Sequence, residues 1–304
     1  YLHLLHLYPL MRTDGWPIYK AIMQKKYPFA MYVHGSEVQK YSSRPFDMDR
    51  SLIGILKRLK KDILLVYFMK KFVNGTKLNK LSHFVFPSFW MKDEMENNLN
   101  VIIDKFDVIA NGIETDMFKF SNSYDKRYRI LALRPLSSMK YAVDIAIDIM
   151  RFLPAEYSLD IFGKGKYEKT FKELINRYSL QDRINIHNTF INKFDMPDFF
   201  SKYGISMSTT RMDAQGVSMC EAMSSGLLTV SNNNTAIPEF INDMKTGILG
   251  ETPKELADKI LEVTSDQNLF ENITLNGRKS MEEIDVEITC EKELNILKKI
   301  ANKK

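Results

Sequence analysis

Cysteine is nearly absent from this chain, and long hydrophobic runs are missing altogether. Only Cys220 and Cys290 occur, and their separation matches no metal-ligand spacing. This excludes a disulfide framework and a cysteine-based zinc site, and it is typical of a reducing compartment. No stretch of 18 uncharged apolar residues is present, about the minimum length of a membrane-spanning helix. We therefore expect a cytoplasmic protein.

The composition is that of an ordinary globular protein. The 304 residues are 44% hydrophobic and 27% charged, with room for two domains. The net charge of +5 comes from one segment, residues 51–80, in which Asp62 is the single acid and the local charge is +7. The cations of this segment are Lys57, Arg58, Lys60, Lys61, Lys70, Lys71, Lys77 and Lys80.

Two interpretations of this basic segment are open. Apolar residues interleave with the cations, as in an interfacial helix on anionic lipid, which makes Lys57, Arg58, Lys60 and Lys61 membrane-facing candidates. The alternative is a helix that packs on the core and exposes a basic face. No helix-turn-helix or RNA-binding signature accompanies the charge, so we expect no nucleic-acid partner.

Hydrophobic periodicity predicts strands that alternate with helices, which is typical of an α/β protein with parallel sheets. In the first third we predict strands at 3–7 and 29–33 with a helix at 15–26. Further on we predict strands at 128–133, 158–162, 184–187, 204–209 and 227–230. The helices between them are predicted at 140–153, 167–178, 198–203 and 218–225.

The stretch from Thr210 to Glu239 contains the most informative pattern. Asp213 and Glu221 flank the predicted turn from a strand into a helix, where the N–H groups of Gly216, Val217 and Ser218 could receive a phosphate. Such turns lie at the carboxyl ends of parallel strands, where ligands bind. An alternative is equally consistent with the spacing: Ser218-x-x-Glu221 is also a capping box, which needs no ligand.

Other candidate residues follow other predicted strands. Arg134 ends one strand and Lys140 opens the next helix, so both cations are expected to face one crevice and bind phosphate oxygens. Gly163-Lys-Gly165 closes another strand. No third glycine follows at the dinucleotide spacing, which argues against a nicotinamide site. We interpret Asp47-x-Asp49 as a solvated loop and expect no metal site.

These motifs resemble those of retaining family 4 glycosyltransferases of the GT-B fold. Asp213 and Glu221 match the E-x7-E motif with Asp in place of the first Glu, and Glu-Ala-Met-x-x-Gly follows. Arg134 and Lys140 resemble the Gly-Arg-Leu…Lys-Gly segment, although neighbouring residues differ. The resemblance implies that Asp213 contacts the donor sugar, Glu221 the ribose, and Arg134 and Lys140 the diphosphate. Gly163 and Gly165 would lie beside the base and phosphates.

The resemblance extends along the whole chain in the correct order. His34, in His-Gly-Ser-Glu, resembles the histidine near the reacting sugar, and residues 111–118 resemble the segment leading to the hinge. It implies two Rossmann-like domains across a cleft: 1–120 on the acceptor side, 121–281 for the nucleotide sugar, and a helix at 282–304 that returns to the first domain. The family's first strand and glycine-rich loop have no counterpart, so we expect an N-terminal truncation and an incomplete first domain.

The implied function is transfer of a sugar, with retention, from a UDP- or GDP-linked donor to a glycan or lipid-linked acceptor in surface polysaccharide synthesis. The enzyme would need no cofactor or metal and could associate with the inner face of the cell membrane. Two alternatives stay open. A sugar-nucleotide epimerase or hydrolase of the same fold would use further acids, for which Glu37 and Glu114 are candidates. A non-catalytic partner subunit would bind nucleotide weakly or not at all.

Overall fold

The computed structural model describes residues 2–4, 16–35, 38–40, 46, 51–78 and 82–302. Within these ranges, the side chains of residues 2–4, 57, 58, 61, 65 and 302 are not described. The Asp47-x-Asp49 pattern, Glu37, Lys80 and the last three residues of the predicted 3–7 strand lie outside the described residues. The chain divides into two compact units.

The first unit comprises residues 1–111 and 287–304. Its elements are β1 (Leu2–Leu4), α1 (Trp16–Lys25), β2 (Phe29–Tyr32), α2 (Leu52–Thr76), β3 (Ser82–Phe86), α3 (Phe89–Leu99), β4 (Phe106–Val108) and α10 (Val286–Asn302). The described strands form a parallel sheet in the order β1-β2-β3-β4. Ile296 and Ile300 of α10 pack on Ala30 and Val85 of this sheet.

The second unit comprises residues 112–286. Its strands are β5 (Arg129–Leu133), β6 (Ser158–Phe162), β7 (Ile184–His187), β8 (Ile205–Met207), β9 (Leu228–Asn232) and β10 (Ile248–Gly250). Its helices are α4 (Val143–Ile149), α5 (Glu168–Arg177), α6 (Met196–Phe200), α7 (Val217–Ser224), α8 (Pro253–Ser265) and α9 (Gln267–Glu282).

Helices cover both faces of the second sheet. Alternate residues of a strand point to opposite faces, and accordingly Ile130 and Ile161 enter one hydrophobic cluster while Leu131 and Phe162 enter another. All strand pairs recorded in this sheet are parallel. The prediction of an α/β protein with parallel sheets is confirmed.

The strand order of the second sheet is β10-β9-β8-β5-β6-β7. From β5 the chain builds β6 and β7 on one side, then crosses back to place β8, β9 and β10 on the other. The order therefore reverses between β5 and β8. In open α/β sheets, ligands bind outside the carboxyl ends of the strands at such a switch point.

Candidate functional site

Arg134 lies at the switch point, directly after β5. Its side chain is buried, with 4% of its surface exposed, and Nη2 donates a hydrogen bond to the Ser208 carbonyl after β8 at 2.6 Å. Within the described residues, Nε has no hydrogen-bond partner. Burial lowers the pKa of Arg134 below its ordinary value, and the Asp213 carboxylate opposes this shift. A buried cation with an unused donor is costly unless it binds an anion.

Lys140 lies in a 3₁₀ turn, Met139–Tyr141, which Ser138 caps: the Ser138 Oγ accepts a hydrogen bond from the Lys140 N–H at 3.0 Å. Ala142 follows in the left-handed conformation with φ +47°. The predicted helix at 140–153 is therefore wrong at both ends, because Ala142 interrupts it before α4 begins and α4 ends at Ile149. Lys140 is held on a turn, not on a helix.

Gly163 and Gly165 allow two strand-end loops to touch. A Cβ at Gly163 would lie 2.0 Å from the Arg134 carbonyl oxygen, and one at Gly165 would lie 2.0 Å from the Leu136 carbonyl carbon. The loops are joined where the Arg134 N–H donates to Phe162 and the Leu136 N–H to Lys164, each at 3.0 Å. These glycines fix the backbone that carries Arg134. Their predicted place beside the base and phosphates stays a prediction.

Asp213 organises the turn before α7. Its Oδ1 accepts hydrogen bonds from the N–H groups of Gly216 at 2.9 Å and Gln215 at 3.3 Å. Gly216 has φ +81°, a left-handed conformation that glycine adopts without strain. Since its N–H is donated to Asp213, Gly216 is not available as a phosphate donor, which corrects one of the three predicted donors.

The capping-box interpretation is wrong. The N-cap of α7 is Gly216, without a side-chain capping bond, and Ser218 is the second residue of the helix. The first N–H groups of a helix have no partner within it, and those of Val217 and Ser218 are the donors that this helix start presents. Glu221 therefore has no capping role at the start of α7.

Glu221 lies on α7 with 9% of its surface exposed. Its carboxylate accepts no side-chain hydrogen bond from the described residues. Burial raises its pKa to about 7, Lys193 opposes the shift, and Glu114 adds to it. Lys193 was not predicted; it follows β7 and forms an ion pair with Glu114. A cation shortly after a parallel strand was the available sequence signal. Glu114, the described candidate acid of an epimerase or hydrolase, is therefore paired with a lysine, and that role stays a prediction.

His34 lies in the first unit, exposed, after the end of β2. It lines a cavity of about 200 Å³ within that unit, together with Tyr32, Asn111 and Glu293. The other predicted site residues, Arg134, Lys140, Gly163, Gly165, Asp213, Gly216, Val217, Ser218 and Glu221, lie in the second unit. Nowhere in the described ranges do three or more His, Cys, Asp or Glu side chains group as metal ligands would.

The segment after β8 links these residues. Arg134 contacts Ser208, and the Arg211 N–H donates to the Lys140 carbonyl at 2.7 Å. The side-chain amides of Asn232, the last residue of β9, and of Asn234 donate to the Thr210 carbonyl at 2.7 and 2.9 Å. One region of the second unit therefore contains the two predicted cations, the Asp213 turn and the start of α7. It lies at the carboxyl ends of the strands, at the switch point of the sheet.

The sequence matches the family described as Glycosyl transferases group 1 over residues 113–280, more than half of the chain. It is 23% identical over 195 residues to an uncharacterized glycosyltransferase of Methanocaldococcus jannaschii, covering 63% of this chain and 52% of that protein. It is 25% identical over 211 residues to the amylovoran biosynthesis glycosyltransferase AmsK of Erwinia amylovora, covering 65% and 52%. The chain thus spans about half the length of these relatives.

The fold is similar to that of HepE from Anabaena, solved in complex with UDP. The TM-score is 0.74 at 16% identity, with 93% of this chain and 76% of that chain covered. At this identity the similarity concerns the fold alone. The predicted GT-B-type α/β fold is confirmed by this similarity and by the parallel sheets of both units.

Proposed function

Because this chain belongs to the Glycosyl transferases group 1 family, we propose that it is a retaining, family 4 glycosyltransferase of surface polysaccharide synthesis. It would transfer a sugar from a nucleotide donor, UDP- or GDP-linked, to a glycan or lipid-linked acceptor. Similarity to the amylovoran biosynthesis enzyme supports the polysaccharide role. The complex of HepE with UDP makes uridine diphosphate the first ligand to test.

The observation that carries this proposal is Arg134. Its guanidinium is buried at the switch point with a single neutral acceptor, and within the described residues its Nε is unpaired. Arginine binds phosphate oxygens in a bidentate way and stays protonated when buried. A donor diphosphate would supply both the negative charge and the missing acceptor.

The neighbouring groups suit a departing nucleoside diphosphate. Negative charge accumulates on the leaving phosphate in the transition state, and preplaced cations and N–H groups lower the energy of that charge. In our proposal Arg134, Lys140 and the N–H groups of Val217 and Ser218 take this role without a metal ion. Glu221 would accept hydrogen bonds from the ribose.

Asp213 would bind the donor sugar through the oxygen that does not hold the turn. Its Oδ1 is used by Gly216 and Gln215, and no described residue donates to Oδ2. A longer side chain is unnecessary because the turn itself is organised around this carboxylate.

His34 is proposed to act near the reacting sugar, so His34→Ala should impair transfer without weakening nucleoside-diphosphate binding.

Calorimetry with uridine, guanosine and adenosine diphosphates tests the proposal. We expect one of the three to bind, and the corresponding nucleotide sugar to be consumed when an acceptor is supplied. If the reaction proceeds with retention, NMR should show that the sugar released by slow hydrolysis of the donor appears first with the anomeric configuration that it has in the donor. If none of the three diphosphates binds, the chain is a non-catalytic subunit. If the nucleotide sugar is converted only to its epimer, or only to free sugar, whichever acceptor is supplied, the chain is instead an epimerase or a hydrolase.

The proposal includes a lipid surface as partner, because of α2. Among the described side chains of this helix, the large apolar ones that are buried, Met69, Phe72 and Val73, lie in its last part. Its first part exposes large apolar side chains, with 80% of Leu52 and 66% of Ile63 accessible. These exposed apolar side chains support the interfacial interpretation over that of a core-packing helix with a basic outer face. None of the described helices has the length and apolar composition to cross a bilayer.

We expect the protein to bind vesicles of phosphatidylcholine and phosphatidylglycerol at low salt and to leave them as salt rises. Each surface cation contributes about 1 kcal/mol near an anionic membrane, and screening removes that attraction. Replacing Lys57, Arg58, Lys60 and Lys61 with glutamine should abolish sedimentation with the vesicles. Of these four side chains the structure describes Lys60, which is exposed.

The apolar contribution is tested separately. Leu56→Gln with Ile63→Gln should weaken vesicle binding while preserving its salt dependence, since both side chains are exposed on α2. Leu275→Gln changes an exposed leucine of α9 in the second unit and serves as the control. Binding that ignores salt, or absence of binding to anionic vesicles, would contradict a membrane partner.

A further inference from the structure

Arg211 holds the turn that carries Lys140 through several hydrogen bonds, although it is not among the residues proposed to bind the donor. Its Nη1 and Nη2 donate to Oδ1 and Oδ2 of Asp144 at 2.8 and 2.6 Å, a bidentate ion pair. Nη1 also donates to the Met139 carbonyl at 2.7 Å. Both side chains of the pair are about three-quarters buried. Arg211 therefore ties the segment after β8 to the first turn of α4 and to the turn before it.

Two further side chains and one backbone group hold the same turn. The Lys140 carbonyl accepts from the Arg211 N–H at 2.7 Å and from Thr210 Oγ1 at 3.3 Å. The Ala142 carbonyl accepts from Thr209 Oγ1 at 3.0 Å. Residues 209–211 thus bind three carbonyls within residues 139–142, which comprise the 3₁₀ turn that carries Lys140 and the Ala142 that follows it.

The turn needs such support because it is strained. Ala142 is left-handed with φ +47°, which costs about 1–2 kcal/mol for a residue with a Cβ. Strained residues persist where the surroundings over-determine them, and they concentrate at functional sites. Without the Arg211 contacts, the segment is expected to relax toward the helix that its own periodicity favours. Lys140 would then move away from the position that the turn gives it.

We propose that Arg211, held by Asp144, is a positioning residue that sets the Lys140 turn and thereby the affinity for the donor diphosphate. This proposal rests on the proposed function of the same site. In this proposal Arg211 acts through Lys140, since three of the five N–H groups of its guanidinium are bound to Asp144 and Met139. Arg134 and Lys140 remain the groups that contact phosphate.

A double-mutant cycle measured by calorimetry with the bound nucleoside diphosphate tests this role. Arg211→Lys keeps the charge but cannot form the bidentate pair. In the protein with Lys140 we expect it to weaken affinity about tenfold, within the coupling range of contacting residues. In the Lys140→Met background the same change should weaken affinity less than about twofold, because the group that it positions is gone.

The control is Arg151→Lys. Arg151 pairs with Asp148 at the end of α4, close in sequence to the proposed pair but without a recorded contact to the Lys140 turn. Its replacement should leave affinity unchanged. Asp144→Asn, which removes the charge and keeps the shape, is the second variant if Arg211→Lys does not fold, and it should show the same dependence on Lys140.

The outcomes are distinct. Equal losses in both backgrounds would mean that Arg211 contacts the nucleotide directly, and no loss in either would mean that the turn holds without it; both overturn the positioning role. If the unaltered chain binds no nucleoside diphosphate, the proposed function fails and this proposal fails with it. Binding that depends on Lys140 but not on Arg211 overturns the positioning role alone.

Discussion

Replacing Arg134 with methionine is expected to weaken nucleoside-diphosphate binding by about one to two orders of magnitude, from the roughly 1.5–3 kcal/mol of a hydrogen bond to a charged group. The melting temperature should stay the same or rise. A buried, incompletely paired charge is costly, and an apolar side chain of similar length removes that cost. The Ser208 carbonyl keeps a donor in the variant, because Ser231 Oγ also donates to it at 2.9 Å.

Arg127→Met is the matched control. Arg127 also has a buried Nε without a hydrogen-bond partner in the described residues, but it precedes β5 and so lies at the opposite end of that strand from Arg134. Its guanidinium lies 4.2 and 4.4 Å from the ring centroids of Tyr124 and Tyr128. Calorimetry should find wild-type affinity in this variant. If Arg134→Met keeps full affinity and a normal melting curve, the diphosphate does not bind at Arg134.

Glu221→Gln is expected to lower nucleoside-diphosphate affinity about tenfold and to raise stability above neutral pH. The carboxylate is the stronger acceptor for ribose hydroxyls, since hydrogen bonds to ionised groups are about twice as strong as neutral ones. Ligand titrations at pH 8 measure the first effect. Unchanged affinity would exclude a ribose contact for Glu221.

The stability effect has a definite pH window. The pKa of Glu221 is about 7 in the folded chain, against the ordinary value of 4.5 for a glutamate. Between these values the folded state binds more protons than the unfolded state, so its stability falls as pH rises. The wild type should therefore lose at most about 3 kcal/mol between pH 4.5 and 7 through this group, at 1.36 kcal/mol for each pKa unit.

Glutamine does not titrate and should escape this loss. Urea unfolding of both proteins should give nearly equal free energies of unfolding near pH 4.5 and a more stable variant at pH 8. Comparing the two proteins at each pH cancels the other titrating groups. A stability difference that does not change with pH would mean that Glu221 is ionised in the folded state with an ordinary pKa.

Local sequence patterns predicted most elements of the second unit. The strands at 158–162 and 184–187 have the predicted limits, because alternating burial within a strand depends on neighbouring residues only. The helix at 140–153 was predicted from an apolar stripe that is real, since Val143, Ala146 and Ile149 are buried. The prediction was wrong for the first turn, because the Thr209 hydroxyl, 67 residues away in the chain, donates a hydrogen bond to the Ala142 carbonyl.

The candidate site divides in the same way. Arg134, Lys140 and Asp213 could be predicted from the sequence because each follows a strand or lies in a turn, and parallel strands end on the same side of a sheet. Glu221 was predicted from its spacing to Asp213. The Lys193 and Arg211 contacts could not be found, since they join residues distant in the chain. That Ser218 and Glu221 form no capping box also depended on geometry: Asp213, not Ser218, accepts hydrogen bonds from the N–H groups before α7.

The sequence by itself determined the α/β class, the alternation of elements and the residue types at the strand ends, because burial periodicity and turn chemistry are local properties. Only the tertiary structure decided that β5 and β8 are neighbours, that Arg134 is buried between them with an unused donor, and that the Lys140 turn is held in a strained conformation. Strand order and desolvation arise from contacts between distant segments. Those contacts raise the pKa of Glu221 and lower that of Arg134.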